Sequence, residues 1–136
     1  MSKVLRITIQ EEPQAKGRSR IVSVNGKFHS YTPERTKVAQ NAILLRLMRH
    51  QADCFPKDTP IKLTAVFYRT KSKYLPKRET LPFRKPDLDN MLKLLSDAAN
   101  GVLFVDDAQL TTIRVSKRWT DKDAGYITIK LEEDAP

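Results

Sequence analysis

The sequence predicts an α+β domain, a mixed or antiparallel sheet with two main helices lying on it. Three observations predict this. Several short segments alternate apolar and polar residues in the two-residue period of half-buried strands. Two longer segments, 33–50 and 88–100, repeat at the helical period and carry helix start or stop signals. The chain has 136 residues, 40% hydrophobic and 30% charged, which is the size and composition of one globular domain spanning 1–136.

The elements follow in order. Residues 4–9, V-L-R-I-T-I, read as a strand. Residues 11–20 form a loop with Pro13, Gly17 and the basic run Lys16, Arg18 and Arg20. Asn25-Gly26 lies between two strand-like runs, so 21–31 is predicted as a hairpin, because a type I′ turn needs positive φ at both central residues. Thr32 can cap the first helix, Pro33 suits its first position, and Glu34 favours its positive end. Val38, Ala42, Leu45 and 46–48 carry the helical period to about His50, and 51–60 is a connection with two prolines.

Residues 61–68 alternate cleanly, with Ile61, Leu63, Ala65 and Phe67 on one face. Residues 69–86 hold three prolines and seven basic residues and are expected as a long exposed loop. In 88–100, Leu88, Met91, Leu92, Leu95, Ala98 and Ala99 share one side. Asp89, Lys93, Ser96, Asp97 and Asn100 share the other, and Asn100-Gly101 stops the helix. Strands are expected over 110–119 and 126–132, the latter with Ile127, Ile129 and Leu131 facing in, and 133–136 as a frayed tail.

Some function classes are excluded. The single cysteine, Cys54, forms no internal disulfide, and one cysteine with two histidines does not make a common zinc site. Cys54 reads as an inert thiol, His29 as a strand surface residue and His50 as a helix end. Trp119, Phe28, Tyr31, Tyr68 and Tyr74 read as packing residues. No targeting pattern and no membrane-length apolar run is seen, so a cytoplasmic protein with no membrane partner is expected.

Charge is the most informative feature. Net charge is +9 with a pI near 9.8, which points to a polyanionic partner. Residues 62–85 contain eight basic side chains and one acid, Glu79. Residues 87–107 contain five aspartates (Asp87, Asp89, Asp97, Asp106, Asp107) against Lys93 alone. If the chain is extended at Asp87 and Asp89, both carboxylates point the same way, and a return after the helix can bring Asp107 beside them. Close carboxylates repel unless a cation or proton lies among them. Hard oxygen ligands suit Mg²⁺ or Mn²⁺, and metal-assisted phosphodiester hydrolysis follows. Each residue also has a plainer reading: Asp87 or Asp89 as a helix cap, Lys93 as the i,i+4 partner of Asp89, and Asp106-Asp107 as a turn. Their joint occurrence beside the basic segment favours a metal-dependent nuclease. Met91 stands where a restriction-enzyme-like site needs an acid, and the cluster lacks the glutamate usual in an RNase H-like site. The rival class is a non-catalytic basic DNA-binding module, in which the aspartates are only caps and turns.

Lys85-Pro86-Asp87-Leu88-Asp89-Asn90, followed by Lys93, Gly101 and Asp106-Asp107-Ala108-Gln109, resembles the signature of the RusA family of Holliday junction resolvases. The N-terminal strand, the Lys16-Gly17-Arg18 loop and Tyr31-Thr32-Pro33 entering a helix are similar as well, so the resemblance runs from about Val4 to Leu131. It implies a RusA-like fold and a homodimeric Mg²⁺-dependent endonuclease, bacterial or phage-encoded, that nicks four-way DNA junctions symmetrically and has no small-molecule substrate. Mn²⁺ is expected to substitute. By position, Asp87, Asp89 and Asp107 match the catalytic, metal-holding carboxylates and Lys93 the essential lysine. Asp106 matches an acidic neighbour whose role stays open. The basic residues Lys16, Arg18, Arg20, Arg69, Lys71, Lys73, Lys77, Arg78, Arg84 and Lys85 are expected to follow the DNA backbone.

Overall fold

The computed structural model describes residues 3–15, 20–31 and 33–136. Among them the elements run β1 (Val4–Ile9), β2 (Arg20–Val24), β3 (Lys27–Tyr31), α1 (Glu34–Leu47), β4 (Ile61–Thr70), α2 (Leu88–Ala99), β5 (Leu110–Thr120) and β6 (Tyr126–Glu133). A short 3₁₀ stretch, Met48–Asp53, follows α1, so the regular helix ends before His50. The expected Thr32 cap and the basic residues Lys16 and Arg18 lie outside the described residues.

Four strands make one mixed sheet in the order β1-β6-β4-β5. β6 pairs antiparallel with β1 and with β4, while β5 runs parallel to β4. A parallel pair cannot be joined by a hairpin and needs a crossover. Residues 71–109, with α2 at their centre, supply it. β2 and β3 form a separate ribbon, turned by Asn25 and Gly26 at φ 51° and 75°, as the Asn-Gly signal predicts.

One sheet face is the core. Ile7, Ile9, Ile61, Leu63, Ala65, Phe67, Ile127, Ile129 and Leu131 are all buried on it, which bears out the alternation read in β4 and β6. α2 covers this face with Met91, Leu94, Leu95, Ala98 and Ala99, and α1 adds Ile43 and Leu47. Each large side chain so buried contributes roughly 1.5–3 kcal/mol. The core face of α1 differs from the apolar positions that suggested the helix. Val38 and Leu45 are exposed, while Thr36, Ile43 and Leu47 are buried. Ser96 is also buried, not on the exposed side of α2.

Two segment ends are better ordered than the sequence suggests. β4 continues through Arg69 and Thr70. Glu133 still pairs with Ile61, the Asp134 amide donates to the Pro60 carbonyl at 2.8 Å, and the Asp134 carboxylate accepts from Thr111 and Thr112. The tail is therefore tied to the sheet at 133–134, because two hydroxyls and a carbonyl wait for it there.

Glu12 ties the segment after β1 to the far end of the sheet. Its carboxylate accepts from the Gly125 amide at 2.5 Å and from the Thr70 amide and hydroxyl at 3.2 and 3.0 Å. A Cβ at position 125 would lie 2.5 Å from the Tyr68 carbonyl oxygen, a backbone atom that cannot swing away. Gly125→Ala should therefore lower stability by about 1–3 kcal/mol, read as a drop in Tm by thermal denaturation. An unchanged Tm would show that this junction yields without cost.

Candidate active site

The site is built on the crossover. Lys117 of β5 donates from Nζ to the carbonyls of Arg84 and Pro86, both at 3.0 Å, and so pins the end of the basic loop to the sheet. The Lys85–Pro86 peptide is cis. Asp87 then caps α2 through its backbone: its carbonyl accepts from the Met91 amide at 3.1 Å, and its side chain makes no cap bond. The Asp87 carboxylate turns to Lys85 instead, 2.9 Å away. Asp89 lies in the first turn, where its charge suits the positive end of the helix. The chain is already helical at Asp89, so the extended geometry expected for the pair does not hold. Lys93, one turn further, pairs with Asp97 at 3.6 Å rather than with Asp89.

The chain returns through Val102, Leu103 and Phe104, all buried, and reaches the acidic turn. Asp106 caps a single 3₁₀ turn, Asp107–Gln109. Gln109 is the anchor of that turn. Its Oε1 accepts from the amides of Val105 and Asp106 at 2.9 and 3.0 Å, and its Nε2 donates to the carbonyls of Pro56 and Thr59 at 2.8 and 3.1 Å. Both ends of the amide are thus satisfied, and the turn is fixed against the β4 approach.

Between α2 and β5 lies an open cleft of about 200 Å³, lined by Asp89, Leu92, Lys93, Ser96, Asp107, Leu110 and Ile113. Three of the four expected catalytic residues meet here; Asp87 does not line it. The Asp107 carboxyl is held above the usual range of 3.8, first by its hydrogen bond with Asp106, then by burial and by repulsion from Asp106 and Asp97. Lys93 opposes this shift. Among the described residues no group of three or more His, Cys, Asp or Glu side chains is close enough to hold a metal ion. The donors nevertheless fit a hard cation in kind, since Asp89 and Asp107 offer only oxygens and the crowded Asp106–Asp107 pair would be relieved by positive charge.

The basic loop divides in two. Arg69 belongs to β4 and donates to the Pro13 carbonyl at 2.7 Å. Lys71 donates to the Glu79 carbonyl, Arg84 pairs with the Glu79 carboxylate, and Lys85 pairs with Asp87. Arg84 is the main cause that holds the Glu79 carboxyl below its usual range. Lys73, Lys77 and Arg78 are exposed. Tyr74 and Phe83 are 86% and 70% exposed and Phe28 is 79% exposed, so Tyr74 and Phe28 are not packing residues. Tyr68 does pack, stacked on Tyr126 with ring centres 4.5 Å apart. Arg20 starts β2.

Sequence reasoning named Asp97 and Gln109 without giving either a role at this site, and it missed Lys117. Asp97 stands four residues after Lys93, a spacing that signals the pair. Gln109 stands three after Asp106, which is the capping-box spacing. Nothing local marks Lys117, whose partners are more than 30 residues away in sequence.

Comparison with known proteins agrees with this architecture. The chain is 27% identical over 135 residues to YqaN of Bacillus subtilis (strain 168), described as an uncharacterized protein, covering 93% of this chain and 95% of that one. It is 25% identical over 130 residues to the crossover junction endodeoxyribonuclease rusA of Lactococcus phage r1t, covering 92% and 93%. The family profile described as Endodeoxyribonuclease RusA matches residues 11–132, nearly the whole span from the end of β1 to the end of β6, and the chain belongs to that family of hydrolases.

Proposed function

We propose that this protein is a crossover junction endodeoxyribonuclease that cuts four-way DNA junctions by metal-assisted phosphodiester hydrolysis. One observation carries the reading: Asp89 and Asp107 line a single cleft with Lys93, at the end of a loop dense in positive charge. A non-catalytic DNA-binding module gains nothing from that arrangement, since clustered carboxylates repel phosphate and each other. Nucleases of this family depend on a divalent metal. Mg²⁺, with Mn²⁺ able to replace it, suits the all-oxygen donors, and Asp87, Asp89 and Asp107 would hold it, with Asp106 as a neighbour. When bound, such an ion supplies an activated water and charge to offset that of the scissile phosphate.

The chain's own residues do the rest. Lys93, held near Asp97 and Asp107, places a positive charge where the phosphate enters. Leu92, Leu110 and Ile113 form the apolar part of the cleft lining. Lys73, Lys77 and Arg78 follow the DNA backbone outside it, together with Arg20 at the start of β2 and with Lys16 and Arg18. A two-fold homodimer would deliver two matched cuts to a junction of near two-fold symmetry. Val38, Leu45 and Met48, all at least half exposed along one side of α1 and its extension, support such an interface.

Cleavage of a synthetic four-way junction against linear duplex, with and without Mg²⁺, tests the activity. Asp89→Asn should bind the junction and not cut it. Lys93→Ala should lower the single-turnover rate by about 10²–10³ if its charge acts in the transition state. A lysine serving only as the Asp97 partner would cost about 0.3–0.5 kcal/mol of stability and leave the rate alone. A rate within about threefold of the parent chain would return Lys93 to that role.

The raised pKa of Asp107 has a stability signature. The folded chain binds this proton more tightly than the unfolded chain, so stability is lost as pH rises from the ordinary carboxylate range through the raised value. Asp107→Asn removes that loss. Without divalent ions, the variant should match the parent below the carboxylate range and exceed it at neutral pH, by denaturant unfolding. A parent chain as stable as the variant at neutral pH would contradict the crowding.

Neutralising Lys73, Lys77 and Arg78 together should weaken binding to all DNA shapes. The slope of log affinity against log salt should flatten by about 0.9 for each phosphate that the loop no longer neutralises. An unchanged slope in a salt titration would remove the loop from the interface.

A further inference from the structure

Among the described residues no helix covers the second face of the sheet, and its residues are set in rows by the strand register. One row crosses all four strands: Arg6 of β1 lies opposite Lys130 of β6, which lies opposite Thr64 of β4, which lies opposite Arg114 of β5. The next row is Thr8, Thr128, Val66 and Ser116. Like charges directly opposite one another destabilise a sheet, and Arg6 facing Lys130 is such a pair. Lys62, Arg118 and the row's three cations share this face with one acid on the strands, Glu132, which pairs with Lys130 at 3.1 Å. Asp134 lies at its end on Thr111 and Thr112. A shallow depression of about 330 Å³ lies between Arg6 and Lys130, lined also by Thr8, Thr64, Val66 and Thr128. An ordinary solvated face mixes its signs and avoids opposed cations. This one gathers cations and hydroxyls, the two side-chain types that bond phosphate oxygens.

We propose that this open sheet face is a second DNA-backbone surface, which holds one arm of the branched substrate while another enters the cleft. The inference rests on the nuclease reading and adds a contact that reading does not require. β5 joins the two surfaces: Ile113 lines the cleft, and Arg114, the next residue, stands on the opposite face. A duplex leaving the cleft around this edge meets Arg114 first and then Lys130 and Arg6. Three inter-strand steps make the row about 14 Å long, close to the ~12 Å width of a major groove. Its two ends can therefore reach phosphates on both strands of one arm. A second copy of this chain is a poor occupant, because the same cations would face each other across a two-fold axis.

Binding of a four-way junction and of linear duplex, measured without divalent metal across a salt series, tests this apart from cleavage. Arg6→Gln with Arg114→Gln should flatten the salt slope on the junction by up to about 1.8, at about 0.9 for each phosphate released, and less on linear duplex. Arg35→Gln with Arg49→Gln, the same charge change on the helix side, should leave the slope near that of the parent chain. Arg6→Lys with Arg114→Lys should keep it, which guards against a folding defect. Equal slopes in the parent and the Arg6 and Arg114 variant would overturn the proposal, as would equal flattening by the control pair. Conversion of a dimer to a monomer by the Arg6 and Arg114 variant, seen in sedimentation, would assign the face to a second copy and also overturn it. If the parent chain fails to cut junctions with Mg²⁺ while the slope difference stands, the nuclease reading falls and the second surface survives.

Discussion

The parallel pairing of β4 and β5 is the constraint on which the rest of the molecule depends. Two parallel neighbours must be joined by a chain that leaves the sheet, travels back along it and re-enters at the starting end. Here that chain is the basic loop, then α2, then the acidic turn. α2 has 12 residues and so runs about 18 Å, long enough to carry the chain from the Lys117 end of β5 back towards its beginning. Burial of its apolar side, Met91, Leu94, Leu95, Ala98 and Ala99, in the common core fixes the helix, and the helix fixes Asp89 and Lys93. The strand it leads into fixes Asp107. The cleft is the seam between a crossover helix and the strand that follows it, so packing of apolar side chains positions the polar ones.

That seam is electrostatically uneasy, and the unease is local. Asp106 and Asp107 share a hydrogen bond that only a proton or a cation makes comfortable, and Asp97 adds a further negative charge nearby. Lys93 stands among them as the one lysine of the acidic segment, paired with Asp97 and felt by Asp107. Gln109 keeps the turn from relaxing away, because its amide is bonded at both ends to backbone that cannot move independently. A fold that gathers repelling groups and then braces them trades stability for a site, which is where local rules are expected to fail in a natural protein.

The sequence made the sheet and α2 legible because period and burial coincide there. Ile61, Leu63, Ala65 and Phe67 alternate because one face of β4 is dry, and α2 is amphipathic because one side of it is. α1 was legible as a helix but not as to its face. Val38 and Leu45 are apolar and exposed while Thr36 is polar and buried, so the pattern names the element and misplaces its core. The site was legible as a set of residue types. Its side-chain geometry was not: Asp87 turns to Lys85, Lys93 to Asp97 and Arg69 to the Pro13 carbonyl. Each is a choice between partners of similar distance in sequence or of no sequence relation at all, and spacing alone cannot make it. The order at Asp134 was missed for the same reason, since its partners Thr111 and Thr112 come from another strand.

Glu79 shows how a single residue against the trend of its segment can organise it. It is the one acid among eight bases, which invites dismissal as compositional noise. Its carboxylate binds Arg84 across five residues, and its carbonyl accepts from Lys71 at 2.7 Å and from the Trp119 indole of β5 at 3.1 Å. Three points of the chain thus converge on one residue, and a loop without regular structure acquires a shape. The Arg84 contact keeps the carboxyl ionised further into acid than usual, so the brace does not depend on small changes in pH. A loop of bases alone would spread by mutual repulsion. With Arg84 and Lys71 directed inward to this hub, the repulsion left over falls on Lys73, Lys77 and Arg78, and it drives those side chains outward, where a phosphate backbone would be the compensating charge.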